Sequence, residues 1–192
     1  MKNFLLISLA GLFFIACNNN NQIVAPKKDN KELASLFENY YNERMQLIPI
    51  ESTQNGDSVN NDKLYADFTD SYREKYKSFF NHYLTEIKKF NRDDLSENDR
   101  ISYDIFKREM EITLEGLSLG FFSNTVTYPD HQYLPFNQFG GIPITLGQLG
   151  SGEGSQPFKT VTDYDNWIKR ATSFSAWSDS AIIYFRKGIS SN

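Results

Sequence analysis

Sulfur and imidazole are nearly missing from this chain. One cysteine, Cys17, and two histidines, His82 and His131, occur in 192 residues. With Cys17 in the leader, the rest of the chain can form no disulfide and no thiolate metal site, and it holds no cysteine nucleophile. No His-Glu-x-x-His is present, so a zinc helix of that kind is excluded, and no Gly-x-Ser-x-Gly elbow supplies a serine nucleophile. Gly147 to Gly154 reads Gly-Gln-Leu-Gly-Ser-Gly-Glu-Gly, but it lacks the Lys-Ser/Thr ending of a phosphate loop and is read as a flexible turn. Positive charge is scarce too. Twenty Lys and Arg stand against 24 Asp and Glu, a net charge of −4, and the basic residues form no cluster. Binding to nucleic acid requires clustered cations facing phosphates, so that partner is excluded.

What is present begins with an export signal. Met1-Lys2-Asn3 is a short basic start, and Phe4 to Ile15 is apolar except at Ser8 and Gly11. That run of about 12 residues is too short to span a bilayer as a helix. Small Ala16 precedes Cys17, which completes a signal-peptide layout. Phe14-Ile15-Ala16-Cys17 resembles the lipobox of bacterial lipoproteins, with Phe14 where Leu is usual. The resemblance implies that residues 1–16 are removed and that Cys17 becomes the lipid-bearing first residue, fixed to a membrane by several acyl chains. Loss of Lys2 would leave 19 basic against 24 acidic residues, a net charge of −5. Residues 17–29 are polar, without periodicity, and read as a tether. No acidic cluster follows Cys17, and the expected location is the periplasmic face of the outer membrane.

Beyond the tether, residues 30–192 read as one domain, and four segments carry helical periodicity. The first covers 31–48, with Asn30 as cap and Pro49 as stop. The second covers 70–90 behind Thr69, with the aromatic stripe Tyr72, Tyr76, Phe79, Phe80, Tyr83 and Phe90. Such a stripe at helical spacing is core first and a ligand surface second. The third covers 97–117, opened by Ser96 and Asp99 in the manner of a capping box, with Ile101, Ile105 and Ile112 widening its apolar arc. The fourth covers 163–187, with Thr162 as cap and Gly188 as stop. The expected fold is therefore all-α, an antiparallel bundle of about four main helices. A Gly- and Pro-rich loop, 120–158, separates helices three and four, and its apolar pieces 133–136 and 142–146 are expected to pack over the helices or form a brief strand.

Chemistry is thin. His82 reads as a helix-surface histidine, and His131 lies in the long loop after Pro129-Asp130 with no sequence partner. Glu111 and Glu115 stand one helical turn apart without a histidine, which argues against a metal pair.

An ordered series of stretches resembles the bacterial domain-of-unknown-function 885 family. These are Leu36 to Arg44, Pro49 to Thr53 with Gly56-Asp57, Leu95 to Asp104, Tyr133 to Gly141, and Asp163 to Arg170 with Arg186 to Ile189. Members of that family are longer, mostly helical proteins that look like zinc metallopeptidases, with a His-Glu zinc motif far downstream of the matching region. The resemblance implies a chain corresponding to the amino-terminal, non-catalytic portion of such a hydrolase. Zinc is expected only in the downstream region. No catalytic residue carries over, and Asn137, Gln138, Gly140 and Gly141 are at most a wall of the substrate cleft. Expected partners are the membrane, a peptide substrate, or a downstream polypeptide that completes the domain. The alternative is a non-catalytic lipoprotein that binds a peptide or protein through an aromatic helical surface.

Overall fold

Helix α1, Lys31–Leu47, starts where the sequence places its cap. The Asn30 side-chain oxygen accepts from the backbone N–H groups of Glu32 and Leu33, each at 3.0 Å. This computed structural model describes residues 27–120 and 131–191. The leader, Cys17 and residues 18–26 of the tether lie outside the described residues, as do residues 121–130 of the long loop. Pro49 ends α1 as expected and also opens a second short helix, α2, Pro49–Gln54. Proline suits the first turn because the N–H it lacks has no helical partner there.

Helix α3, Asp70–Ile87, stops three residues short of Phe90. Thr69 does not cap it, because its hydroxyl donates back to the Ala66 carbonyl at 2.8 Å. The Asp70 N–H donates instead to the Tyr184 hydroxyl at 2.5 Å, so a side chain from the far end of the sequence closes this helix start. A 3₁₀ turn, Arg92–Asp94, leads to α4, Glu97–Ser118. Only half of the expected capping box forms. Ser96 Oγ accepts from the Asp99 N–H at 3.2 Å, but the Asp99 carboxylate reaches across to the Asn30 N–H at 2.7 Å. Ser96 Oγ also lies 3.0 Å from Asp29 Oδ1, and Lys27 Nζ donates to the Asp93 carbonyl. The last residues before α1 are thus tied to the start of α4.

Helices α1, α3 and α4 run up, down and up. The start of α1 meets the start of α4 at Asn30–Asp99, whereas Arg73 near the start of α3 donates to the Leu117 carbonyl at the end of α4. Their shared core holds Leu33, Tyr40, Tyr76, Phe80, Tyr83, Phe106 and Met110. The Tyr40 ring sits among Phe79, Tyr83 and Phe106, with centroids 5.4, 5.1 and 4.8 Å away. Each such aromatic pair adds about 0.5–1.5 kcal/mol beyond its burial. The α3 stripe is therefore core. An aromatic binding face on this helix loses its surface, since Tyr72, Tyr76, Phe80 and Tyr83 are all buried.

The last two helices form a second apolar cluster with the connection before α3. Helix α5, Ile142–Gly150, occupies part of the expected long loop; the piece 142–146 is helical, not a strand, and Gly147 lies inside the helix. Only 151–154 of the glycine-rich stretch remains a turn. Helix α6 spans Val161–Ser190. Its cap is Thr160, two residues before the expected Thr162. Thr160 Oγ1 accepts from the Asp163 N–H at 3.2 Å, and the Asp163 carboxylate accepts from the Thr160 N–H at 2.8 Å, a full capping box. Gly188 does not stop α6 but sits within it, beneath Tyr133; a Cβ there would lie 2.8 Å from the Tyr133 Cβ. Trp177, Ala181 and Tyr184 of α6 pack with Leu64, Phe68 and Leu146. The described residues contain no strand, and the fold is all-α. No described helix is long and apolar enough to cross a membrane.

Candidate functional site

Arg170 is the polar centre of the molecule. It comes from the middle of α6 and is fully buried. Its guanidinium donates to five oxygens: the Lys63 carbonyl at 3.0 Å, Gln156 Oε1 at 2.7 Å, the Pro49 carbonyl at 3.4 Å, Thr53 Oγ1 at 2.8 Å and the Asn60 carbonyl at 2.5 Å. None of these acceptors is a carboxylate. Burial pulls the guanidinium down to about 10, opposed by the more distant Asp62 carboxylate, so Arg170 stays charged at neutral pH. The planar fork satisfies several acceptors that would otherwise be buried without donors. This arrangement holds α6 against α2 and the connection that follows it. Gln156 Nε2 at this seam, and Trp177 Nε1 in the aromatic cluster farther along α6, are buried without a partner among the described residues.

A second, half-buried charge joins α1, α2 and α4. Arg44 Nε donates to both Glu51 oxygens at 2.8 and 3.0 Å, and its Nη1 donates to the Tyr40 hydroxyl at 2.9 Å. The Tyr40 hydroxyl in turn donates to Glu109 at 3.0 Å. Burial holds the Tyr40 phenol well above its usual range, and the Glu51 hydrogen bonds keep Arg44 protonated. The Arg44 guanidinium thus links Glu51 of α2 to the Tyr40 hydroxyl, and Tyr40 links it onward to Glu109 of α4.

The concave place richest in chemical groups is a cleft of about 420 Å³ between the start of α3, the end of α4 and residues 131–133. Asp70, Arg73, Glu74, Lys77 and His131 line it. Its charges are already engaged. Lys77 pairs with Glu74 at 2.7 Å, and Asp70 pairs with Lys187 at 3.0 Å, which holds the Asp70 carboxyl below its ordinary value. His131 Nδ1 accepts from the Tyr133 N–H at 3.2 Å. His82 does not reach this cleft; it lies on the exposed side of α3 against Tyr83. Glu86, one turn beyond His82, pairs with Lys89 at 2.6 Å. Glu111 faces Lys107 at 3.8 Å. Among the described residues no three His, Cys, Asp or Glu side chains converge as a metal site would require.

The four cleft-wall candidates form one tight turn. The Asn137 N–H donates to the Gly140 carbonyl at 3.1 Å, and Asn137 Oδ1 accepts from the Phe139 N–H at 2.8 Å. Gly141 has φ 116°, and a Cβ there would meet the Phe136 Cβ at 2.5 Å. Its carbonyl accepts from the first N–H groups of α5, Ile144 and Thr145, each at 3.1 Å. Asn137 and Gly141 therefore shape the backbone, and Gln138 is the exposed polar side chain of the turn.

The stretches that make the chain look like a known family come together at Arg170, because Pro49 and Thr53 belong to one of them and Arg170 to another. The sequence profile described as "Bacterial protein of unknown function (DUF885)" matches residues 49–192. The chain belongs to that family. No curated protein and no solved structure matches it. The DUF885 match begins at Pro49, the first residue of α2, and so takes in every element that Arg170 clamps. Sequence reasoning did not single out Arg170 as a buried centre. The signal available was an arginine on a helix whose i−3 and i+4 neighbours, Trp167 and Phe174, are apolar.

Proposed function

We propose that this DUF885 chain is the lipid-anchored, non-catalytic helical front of a peptidase-like hydrolase, held at the periplasmic face of the outer membrane through Cys17. The observation that carries the reading is the family match over residues 49–192. In this reading no catalytic step is assigned to the described residues, and the zinc chemistry is the part of a downstream polypeptide. Locked by Arg170, α2, the connection after it and α6 form a rigid support. The Asn137 to Gly141 turn contributes a wall to the substrate cleft, with Gln138 facing outward. The open aliphatic side of α6, including Ile168 and Ile189, is then cover for the downstream polypeptide.

Two measurements test this. Reading the genome past the codon for Asn192 is expected to reveal a continuing or adjacent frame with a His-Glu zinc motif; its absence removes the hydrolase part of the reading. Metabolic labelling with an alkyne fatty acid is expected to mark the chain, and Cys17→Ser is expected to abolish the label. Equal labelling of both removes the anchor.

A further inference from the structure

Helix α4 carries a second face, opposite the core. Tyr103, Phe106, Met110 and Leu117 point inward, and the exposed positions Ile101, Ile105, Arg108, Ile112 and Glu115, with Leu119 just past the helix end, follow one another in alternating steps of four and three. That is the spacing of a coiled-coil seam. Four of the six are large aliphatic side chains, each more than half-exposed or at half. Beside them runs a shallow groove of about 640 Å³.

The charges on this face identify what fits it. The carboxylates flanking the seam are engaged within the chain: Asp104 with Arg92 at 2.6 Å, Glu109 with Arg44 at 3.6 Å, and Glu111 with Lys107 at 3.8 Å. Arg108 and Glu115, which lie in the seam itself, form no ion pair among the described residues. They stand four residues before and three residues after Ile112. A copy of the helix reversed about Ile112 therefore brings opposite charges together. Ile112 meets its own counterpart, Ile105 meets the partner's Leu119, and Arg108 meets the partner's Glu115 with an axial offset of one residue, about 1.5 Å. The same contacts repeat on the other side, as a twofold interface demands.

We infer that the α4 face is a homodimer interface, in which two copies of this chain pair their α4 helices antiparallel about Ile112, with Arg108 and Glu115 as reciprocal ion pairs. The pairing uses α4 alone and leaves the open side of α6 free, so it stands apart from the proposed function.

Disulfide trapping in the full chain, in isolated membranes under mild oxidation, tests it. Cβ atoms facing each other across a close twofold meet the short reach of a disulfide. Ile112→Cys is expected to give a band at twice the chain mass, whereas Ile168→Cys on α6 is expected to give no more than the parent chain with Cys17 alone. Adding Arg108→Glu to Ile112→Cys is expected to abolish the band, and adding Glu115→Arg as well is expected to restore it. Restoration separates lost pairing from lost folding. No band at Ile112, equal bands at Ile112 and Ile168, a band of foreign mass, or no rescue by the double charge exchange would each overturn the inference.

Discussion

Arg170 Nη2 and Thr53 Oγ1 lie 2.8 Å apart in space and 117 residues apart in sequence. This contact joins the start of the family match to its last helix. Breaking it leaves buried oxygens without donors, which costs about 1–3 kcal/mol for each strongly desolvated group. Arg170→Leu is expected to destabilise the chain by about 3 kcal/mol or more, and Arg170→Lys by only somewhat less, because an ammonium cannot reproduce the planar fork. Thr53→Val is expected to lose about 1–2 kcal/mol. Urea denaturation followed by circular dichroism measures all three.

The start of α6 offers a comparison between two threonines. Thr160 closes the capping box, and Thr162 lies within the first turn. Thr160→Ala is expected to lower stability by about 1 kcal/mol, and Thr162→Ala to change it by less than about half of that. Equal losses in thermal melts would show that the helix starts elsewhere.

Gly188→Ala runs against the usual rule. Alanine in place of glycine inside a helix ordinarily gains about 1 kcal/mol. Here the new methyl would press on the Tyr133 Cβ at 2.8 Å, and neither backbone can yield cheaply. A net loss of about 1 kcal/mol or more is expected. Gly188→Ala with Tyr133→Ala should recover part of it in the same melt.

The Asp70–Lys187 pair makes stability depend on pH at both ends of the scale. Lys187 holds the Asp70 carboxyl down, so its contribution is complete above the unfolded value of about 3.9 and disappears as pH falls through the lower folded value. Asp70 raises Lys187, so that contribution is complete below about 10.4 and disappears as pH rises through the higher folded value. Urea midpoints for Asp70→Asn should lose part of both slopes and leave the plateau between them nearly flat.

The helices were legible because their apolar residues recur at helical spacing and because Asn30 and Ser96 are placed to accept from first-turn N–H groups. Other features depended on distant partners. Thr69 looks like a cap, but the Tyr184 hydroxyl meets the Asp70 N–H and frees the threonine to turn back on Ala66. Gly188 looks like a stop, yet the packing of Tyr133 is what requires a glycine there. Helix α5 is hidden by its glycines and proline; burial of Leu146 and Leu149, and Trp167 lying over Gly150, supply what local propensity does not. Arg170 was invisible as a centre because four of its five acceptors are backbone or amide oxygens, which leave no charge pattern in the sequence. At the site, Asn137 and Gly141 build the backbone of their own turn, while the cleft at His131 arises only where three separate segments meet.

The ties among Lys27, Asp29, Asn30 and the start of α4 have a mechanical consequence. A pull on the chain ahead of Lys27 meets α4 as well as α1, because Asp99 holds the Asn30 N–H and Ser96 holds Asp29. Under such a load α1 is expected to unravel only after these bonds part.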